Sequence, residues 1–440
     1  MTILIRFPQS TRAERLLHVA GILSSLAYAM LAIASRLQPE RLVWVLVSCM
    51  GMVWFTALAA AGVVRNLSAA TPFRWILAYG LLFRTIGFLG EPIFEDDFYR
   101  FLWDGRMFAV AGSPYGSAPS ELFGDPGLNE RFESILNQVN HPQIPTLYGP
   151  VFEFAFLASY WIAPGELWAL KLILIGAELG AFAALRRWLT PWAAVFWFWC
   201  PLLIQETAFS AHPDALGLVA MAGAVASARV GRTTMAGVLM GLAVGARPFA
   251  ALLLPFLLPS GWRRILAGFI GALTLLHAPF LGGNAGPWAG LGTFATTWEF
   301  NSAAFAVLQV AFGAGPAKVI GAIIFGAGYV VMLRRWWRTG TEHETPPGDL
   351  CFGLLFLVSP VINPWYLQWL VPFVAVQPRT WTIAFLMMVT LSYATFQNLN
   401  PVSDLGFNHP YWVRPVEFGV IALASLTPWL WRRWRLRRES

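Results

Sequence analysis

Apolar runs of about 17 to 25 residues, long enough to span a bilayer, recur from near residue 16 to near residue 431, punctuated by short arginine clusters. The pattern predicts helices over about 16–35, 42–64, 73–89, 166–187, 191–209, 213–230, 263–281, 303–333, 380–398 and 411–431. Two segments do not fit as single spans. Residues 233–262 are interrupted by GARPF and residues 350–377 by SPVINPWY, so each reads as a pair of shorter helices whose tip reaches the outer side. Broken helices are tolerated at membrane depth where their backbone lines a cavity or is covered by protein. Residues 148–163 fit as a partial or interfacial helix, because a full crossing would reverse the sidedness of Arg186 and Arg187. The expected fold class is all-α: a polytopic transmembrane helical bundle of about 12–14 spans, with residues 1–440 forming one domain.

One weakly hydrophobic stretch stands out, residues 90–147, rich in Pro, Gly, Asn and acidic residues. It reads as a large first extracytoplasmic loop, and its segment NERFESILNQVN has the composition of a short surface helix.

Composition agrees with a multi-pass integral membrane protein: 57% of residues are hydrophobic and 12% charged, against about 25% charged in soluble domains. The first run follows Arg6, Arg12 and Arg15 without a small-residue cleavage signature, so it reads as a retained helix. Net charge is +7, and every basic residue except Lys171 and Lys318 is an arginine. These arginines lie between the apolar runs, as orientation signals do, and leave no continuous basic face for nucleic acid. Cys49, Cys200 and Cys351 all sit in apolar runs, as packing residues.

The informative polar residues cluster near the outer side. Glu91, Glu95, Asp96, Asp97, Arg100, Asp104 and Arg106 follow the third helix, and Arg84 lies within it. A cation at a helix centre costs roughly 2.5 to 3.5 kcal/mol, so Arg84 calls for a partner, expected among the loop acids. DDFYRFLWDG interleaves its charges with Phe98, Tyr99, Phe101 and Trp103, which suggests an interfacial element at the bilayer surface. Aromatic faces of this kind also stack sugars. The alternative is a solvated loop start with a snorkelling arginine. NHPQIPTLYGP returns His141 and Tyr148 to the membrane, and ETAFSAHPDALG sets Glu206, His212 and Asp214 at the next outer turn. His212 and Asp214 read equally as a helix cap with Pro213 in the first turn. Arg247 sits in GLAVGARPFAALLLPF, and Asn363, Trp365 and Tyr366 sit in INPWYLQW, which reads equally as a helix break with interfacial aromatics. Together these residues form an expected outward cavity with acids on one wall and Arg247 on another. That suits a substrate carrying a hydroxyl for a carboxylate to activate and a phosphate for arginine to hold.

The run DDFYRFLWDGRMFAVAGSPY, Asp96 to Tyr115, resembles the first-loop signature of bacterial GT-C glycosyltransferases, integral-membrane enzymes that use polyprenyl-phosphate sugars. Its mannosyltransferase-like branch is the most similar. IPTLYGP is similar to the family's Tyr-Pro-Pro step, with Gly149 in place of the first proline; AHPDAL, GARPFAALLLPF and NPWYLQW follow in the family's order, with Arg247 where lysine is more usual. The resemblance implies a loop packed over a helical cavity and an inverting transfer of a hexose, mannose by default, from a polyprenyl-phosphate donor to a hydroxyl of a lipid, glycan or protein acceptor. It places the enzyme in a bacterial inner membrane, with its site facing the periplasm or exterior among membrane lipids. By carry-over, Asp97 with Asp96 beside it is the base and Arg247 stabilises the leaving phosphate, helped by Arg84 or Arg100. Glu95, Tyr99, Asp104, His141, Tyr148, His212, Asp214, Asn363, Trp365 and Tyr366 are expected to bind substrate. A divalent cation (Mg or Mn) held by Asp96 and Asp97 stays open, since hard cations usually want several oxygens. The competing function is a secondary transporter or flippase of a lipid-linked or anionic sugar, which would keep its carboxylates inside the spans; a third is an accessory subunit with structural acids.

Overall fold

The computed structural model describes residues 12–37, 42–65, 71–281, 290, 292, 298–339, 344–395 and 409–439. Among them every named element is helical, and one isolated β-bridge pairs Phe300 with Val361. Helices α1 (Arg12–Leu37), α2 (Leu42–Val64) and α3 (Thr71–Leu89) open the chain, with α1 packed on both of its successors. The loop that follows is itself largely folded. It contains α4 (Asp97–Ala111) and α5 (Glu130–Leu136), and returns through α6 (Pro150–Ile162) to α7 (Leu167–Leu185) and α8 (Pro191–Phe198). After a π-helical turn at Ile204–Phe209 come α9 (Asp214–Arg229), α10 (Thr233–Ala246) and α11 (Trp262–His277). The remainder comprises α12 (Ala304–Phe312), α13 (Ala314–Thr339), α14 (Gly348–Val358), α15 (Thr380–Met388) and α16 (Val413–Glu439).

Four helices among the described residues are long and apolar enough to cross a membrane: α1, α2, α13 and the continuous stretch Leu167–Trp188. α3 and α16 are also continuous, whereas several other expected runs are divided into shorter pieces, largely by proline, which lacks the N–H that an inner helical turn needs. Pro201 divides the run at 191–209, and Pro248 and Pro364 open 3₁₀ turns at the two expected breaks. The helix expected over 303–333 is broken at Gly313, whose φ is 84°. The partial helix expected near 148–163 is α6, whose 13 residues reach only about 20 Å. Arg6, the end of the 380–398 run and the side chains of the RRWRLRR tail lie outside the described residues.

Where an interfacial element with surface aromatics was expected, the chain forms α4, with Phe101 and Trp103 buried against protein and Phe98 and Tyr99 half-buried. Phe101 stacks on Phe156 of α6 with ring centroids 4.8 Å apart. Gly105 makes that approach possible, since a Cβ there would lie 2.5 Å from the Phe156 carbonyl oxygen. The start of the loop is tied down as well. At the C-terminus of α3, Lys171 Nζ donates to the Gly90 carbonyl at 2.6 Å and Arg36 to that of Leu89 at 2.6 Å, supplying donors that the last helical turn lacks.

Arg84 does not pair with the loop. Its guanidinium makes a fork with Glu178 on α7, Nη2 to Oε1 at 2.8 Å, and Nη1 donates to the carbonyls of Gly80 and Phe198. Both side chains are buried, so the ion pair acts as a clamp between α3 and α7 and takes Arg84 away from substrate. Breaking a buried pair from one side leaves an uncompensated charge, at a cost of about 3 to 5 kcal/mol. Arg84→Met is therefore expected to lower the thermal unfolding temperature in detergent markedly, and Arg84→Met/Glu178→Met to recover most of the loss. A single variant that melts with the parent would refute the clamp.

Candidate active site

The residues singled out near the outer side converge on a cavity with two connected lobes. The chain enters it through Phe94, a non-glycine residue at φ 55°, and this left-handed turn sends the next three acids in different directions. Asp97, the first residue of α4, lines both lobes and accepts a hydrogen bond from the Tyr148 hydroxyl at 3.3 Å. Asp96 lines the second lobe, where its carboxylate accepts from the Asn140 amide. Glu95 points inward to His212.

The first lobe is cationic. Besides Asp97 it is lined by Arg100, Tyr148, Arg247 and Tyr366. Arg100 donates through Nε to Asp104, at 2.9 and 3.1 Å, and through Nη1 to the Ile144 carbonyl at 2.9 Å. Arg247 follows the end of α10, where Pro248 stops the helix. It forms a bidentate pair with Asp214, 3.0 and 2.9 Å, and Asp214 also accepts from Trp369 Nε1 at 2.8 Å. Arg247 therefore has a partner in the fold, and Asp214 is spent on it instead of capping α9. The rings of Tyr366 and Phe152 lie 5.0 and 5.1 Å from the guanidinium, a cation–π setting that favours the charge. Gly149 belongs to the same contact, since a Cβ there would fall 2.1 Å from the Gly245 carbonyl oxygen.

The second lobe is acidic and aromatic. It shares Asp97, Asn140, His141, Trp298, Asn363 and Trp365 with the first and adds Glu95, Asp96, Glu299 and Tyr393. His141, at φ 47°, sets its ring edge-on to Trp298 at 4.7 Å. His212 stacks flat on Trp365, centroids 4.0 Å apart. Its Nδ1 stands 2.8 Å from Glu206 and its Nε2 3.4 Å from Glu95, both off the line of an ideal hydrogen bond. Glu206 comes from the π-helical turn and accepts from the Tyr393 hydroxyl at 2.9 and 3.1 Å. Burial pushes Glu95 up to about 8 even though His212 draws it back. Partial desolvation and the neighbouring Asp97 raise Asp96, which keeps an exposed edge, to about 6. Burial alone would lower His212, but Glu95 and Glu206 prevail and lift it to about 10.

Of the residues picked from the sequence, Glu95, Asp96, Asp97, Arg100, His141, Tyr148, Arg247, Asn363, Trp365 and Tyr366 line the cavity. Asp104, His212 and Asp214 stand directly behind these, each gripping one of them. Arg84 and Tyr99 line neither lobe; Tyr99 lies against Phe98 at 4.1 Å. Trp298, Glu299 and Tyr393 belong to the site without any motif to mark them; Asn140 and Trp369 stand at the ends of NHPQIPTLYGP and INPWYLQW without being singled out there, and Glu206 was visible only by its place in ETAFSAHPD.

No curated protein and no solved structure matches the chain. A family model does, over the half that carries the loop, His212 and Arg247: residues 17–262 match the one described as alpha-(1->6)-mannopyranosyltransferase, N-terminal domain, so the chain belongs to this GT-C type family of mannosyltransferases and is a glycosyltransferase.

Proposed function

We propose that the protein transfers mannose from a polyprenyl-phosphate donor to a glycan hydroxyl, with inversion, in a bacterial inner membrane that it crosses many times. The observation that carries this reading is the position of Asp97 at the junction of a cationic and an acidic, aromatic lobe. The lobes share six lining residues, Asp97 among them, so a group held in one lies directly beside a group held in the other. An apolar groove lined by Phe249, Leu355, Phe356 and Val361 opens beside Arg247 and Tyr366, which also line the cationic lobe. A prenyl chain fits the groove, its phosphate fits Arg247, and the mannose then lies toward Asp97. The other lobe offers carboxylates to acceptor hydroxyls and indole faces to sugar rings.

In this reading Asp97 takes the proton of the acceptor hydroxyl as its oxygen attacks the anomeric carbon. The carbon–oxygen bond to phosphate breaks, and the lipid phosphate leaves as an anion. Phosphate is a good leaving group, so charge stabilisation by Arg247, assisted by Arg100, matters more than a general acid. An α-(1→6) product, as in the family's description, requires a β-linked donor under inversion. Arginines at the opposite helix ends, such as Arg186, Arg187, Arg229 and Arg232, support a cytoplasmic side away from the cavity and, with it, an exterior-facing site.

Purified protein supplied with an oligosaccharide acceptor is expected to incorporate mannose from polyprenyl-phosphate mannose and not from a nucleotide-linked mannose. Incorporation from the nucleotide sugar alone would overturn the donor assignment. No incorporation from either, together with movement of the lipid-linked sugar across sealed vesicles, would make the protein a flippase.

A further inference from the structure

The histidine behind the acidic lobe has more contacts arranged around it than the transfer step uses. Oxygens of Glu95 and Asp97 and a ring nitrogen of His212 lie within 4.8 Å of one another. His212 is 1% exposed, and its Nε2 faces Glu95 at 3.4 Å without making a hydrogen bond. Donors held at about 2.1 Å from one metal ion stand about 3.0 to 3.4 Å apart at the angles of octahedral and tetrahedral shells. The nitrogen–oxygen spacing found here falls in that range. Asp96, the ligand expected beside Asp97, is turned to Asn140 and is not in the group.

Two further features favour a cation over a simple ion pair. On its other side His212 has Glu206 at 2.8 Å from Nδ1, and Glu206 is fixed in turn by the Tyr393 hydroxyl. A carboxylate on the far nitrogen is the usual support of a metal-bound imidazole, orienting the ring and raising its basicity. Charge points the same way. Glu95, Asp97 and Glu206 surround a single imidazole, while Arg100 and Arg247 are held by Asp104 and Asp214.

We propose that Glu95, Asp97 and His212 form a binding site for a first-row divalent metal ion, with Glu206 as the positioning residue for His212. A donor set of one imidazole and two carboxylates suits Mn2+, Fe2+, Co2+ or Zn2+ better than Mg2+ or Ca2+, which favour oxygen throughout. The remaining coordination positions face the acidic lobe, open to water or to an acceptor hydroxyl. The ion's local role is to neutralise the carboxylates where the two lobes meet.

The test needs no sugar, so its outcome is separate from that of the mannosyl-transfer reading. Full-length protein in detergent is stripped with a chelator, dialysed and titrated with Mn2+, with free ion followed by electron paramagnetic resonance. One Mn2+ per chain is expected, with a pulsed-resonance 14N coupling from imidazole that persists in a large excess of Ca2+. His212→Gln is expected to remove the 14N coupling, and Glu206→Gln to retain it while raising Kd about 10- to 100-fold. Absence of stoichiometric binding to the parent protein overturns the site even if the variants fold poorly. Binding whose nitrogen coupling survives His212→Gln overturns the ligand assignment.

Discussion

Asparagine at position 97 is expected to slow mannosyl transfer about 100- to 10,000-fold, the usual contribution of a general base, while leaving the thermal stability close to that of the parent. The substitution preserves shape and keeps an oxygen to accept from the Tyr148 hydroxyl, which lies 3.3 Å away, but it removes the group that takes a proton. Asp96→Asn is the natural comparison. Its carboxylate is bound by Asn140, and its loss is expected to be small beside that of Asp97→Asn. Rates should be compared with and without added Mn2+, because Asp97 is also a ligand in the proposed cation site. If Asp97→Asn transfers at the parental rate and Asp96→Asn does not, the proton goes to Asp96.

Removal of Arg247 has the other large effect, and here structure and chemistry must be separated. Arg247→Met strands a fully buried Asp214 with Trp369 as its remaining donor, at an expected cost of about 3 to 5 kcal/mol in stability. Arg247→Met/Asp214→Asn removes the stranded charge and should restore most of the unfolding temperature. Transfer should nevertheless stay about 100- to 1,000-fold down, the loss typical of deleting one element that stabilises transition-state charge, with kcat and kcat/KM falling together. Arg247→Lys keeps a cation but not the planar fork that grips Asp214, so its rate is expected between those of the parent and the double variant. Parental transfer by the double variant would end the assignment of the leaving phosphate to Arg247.

Much of this arrangement was legible because the membrane restricts what a chain can do. An acid cluster after α3 and two proline-marked breaks, one of them carrying Arg247, have few explanations in so hydrophobic a sequence, and these features do meet at the cavity. What escaped was pairing across distance. Nothing near Arg84 signals Glu178, and Trp298 lies in no motif, yet one secures the bundle and the other closes both lobes. Direction was equally hidden. Whether Asp96 or Asp97 looks into both lobes depends on a left-handed turn at Phe94, and phenylalanine gives no warning of one, since that region normally selects glycine. Gly149 illustrates the converse: a glycine that the sequence alone leaves unexplained becomes intelligible once the Gly245 carbonyl is found against it.

The clamp between α3 and α7 also bears on how the protein is made. Glu178 is encoded 94 residues after Arg84, so at about 5 to 20 residues per second its synthesis lags by roughly 5 to 20 seconds. Throughout that interval α3 carries a guanidinium whose carboxylate does not yet exist, and lipid is a poor place to wait with one. The first three helices, about the opening fifth of the chain, are thus expected to wait at the insertion machinery until α7 emerges and to enter the bilayer jointly instead of helix by helix.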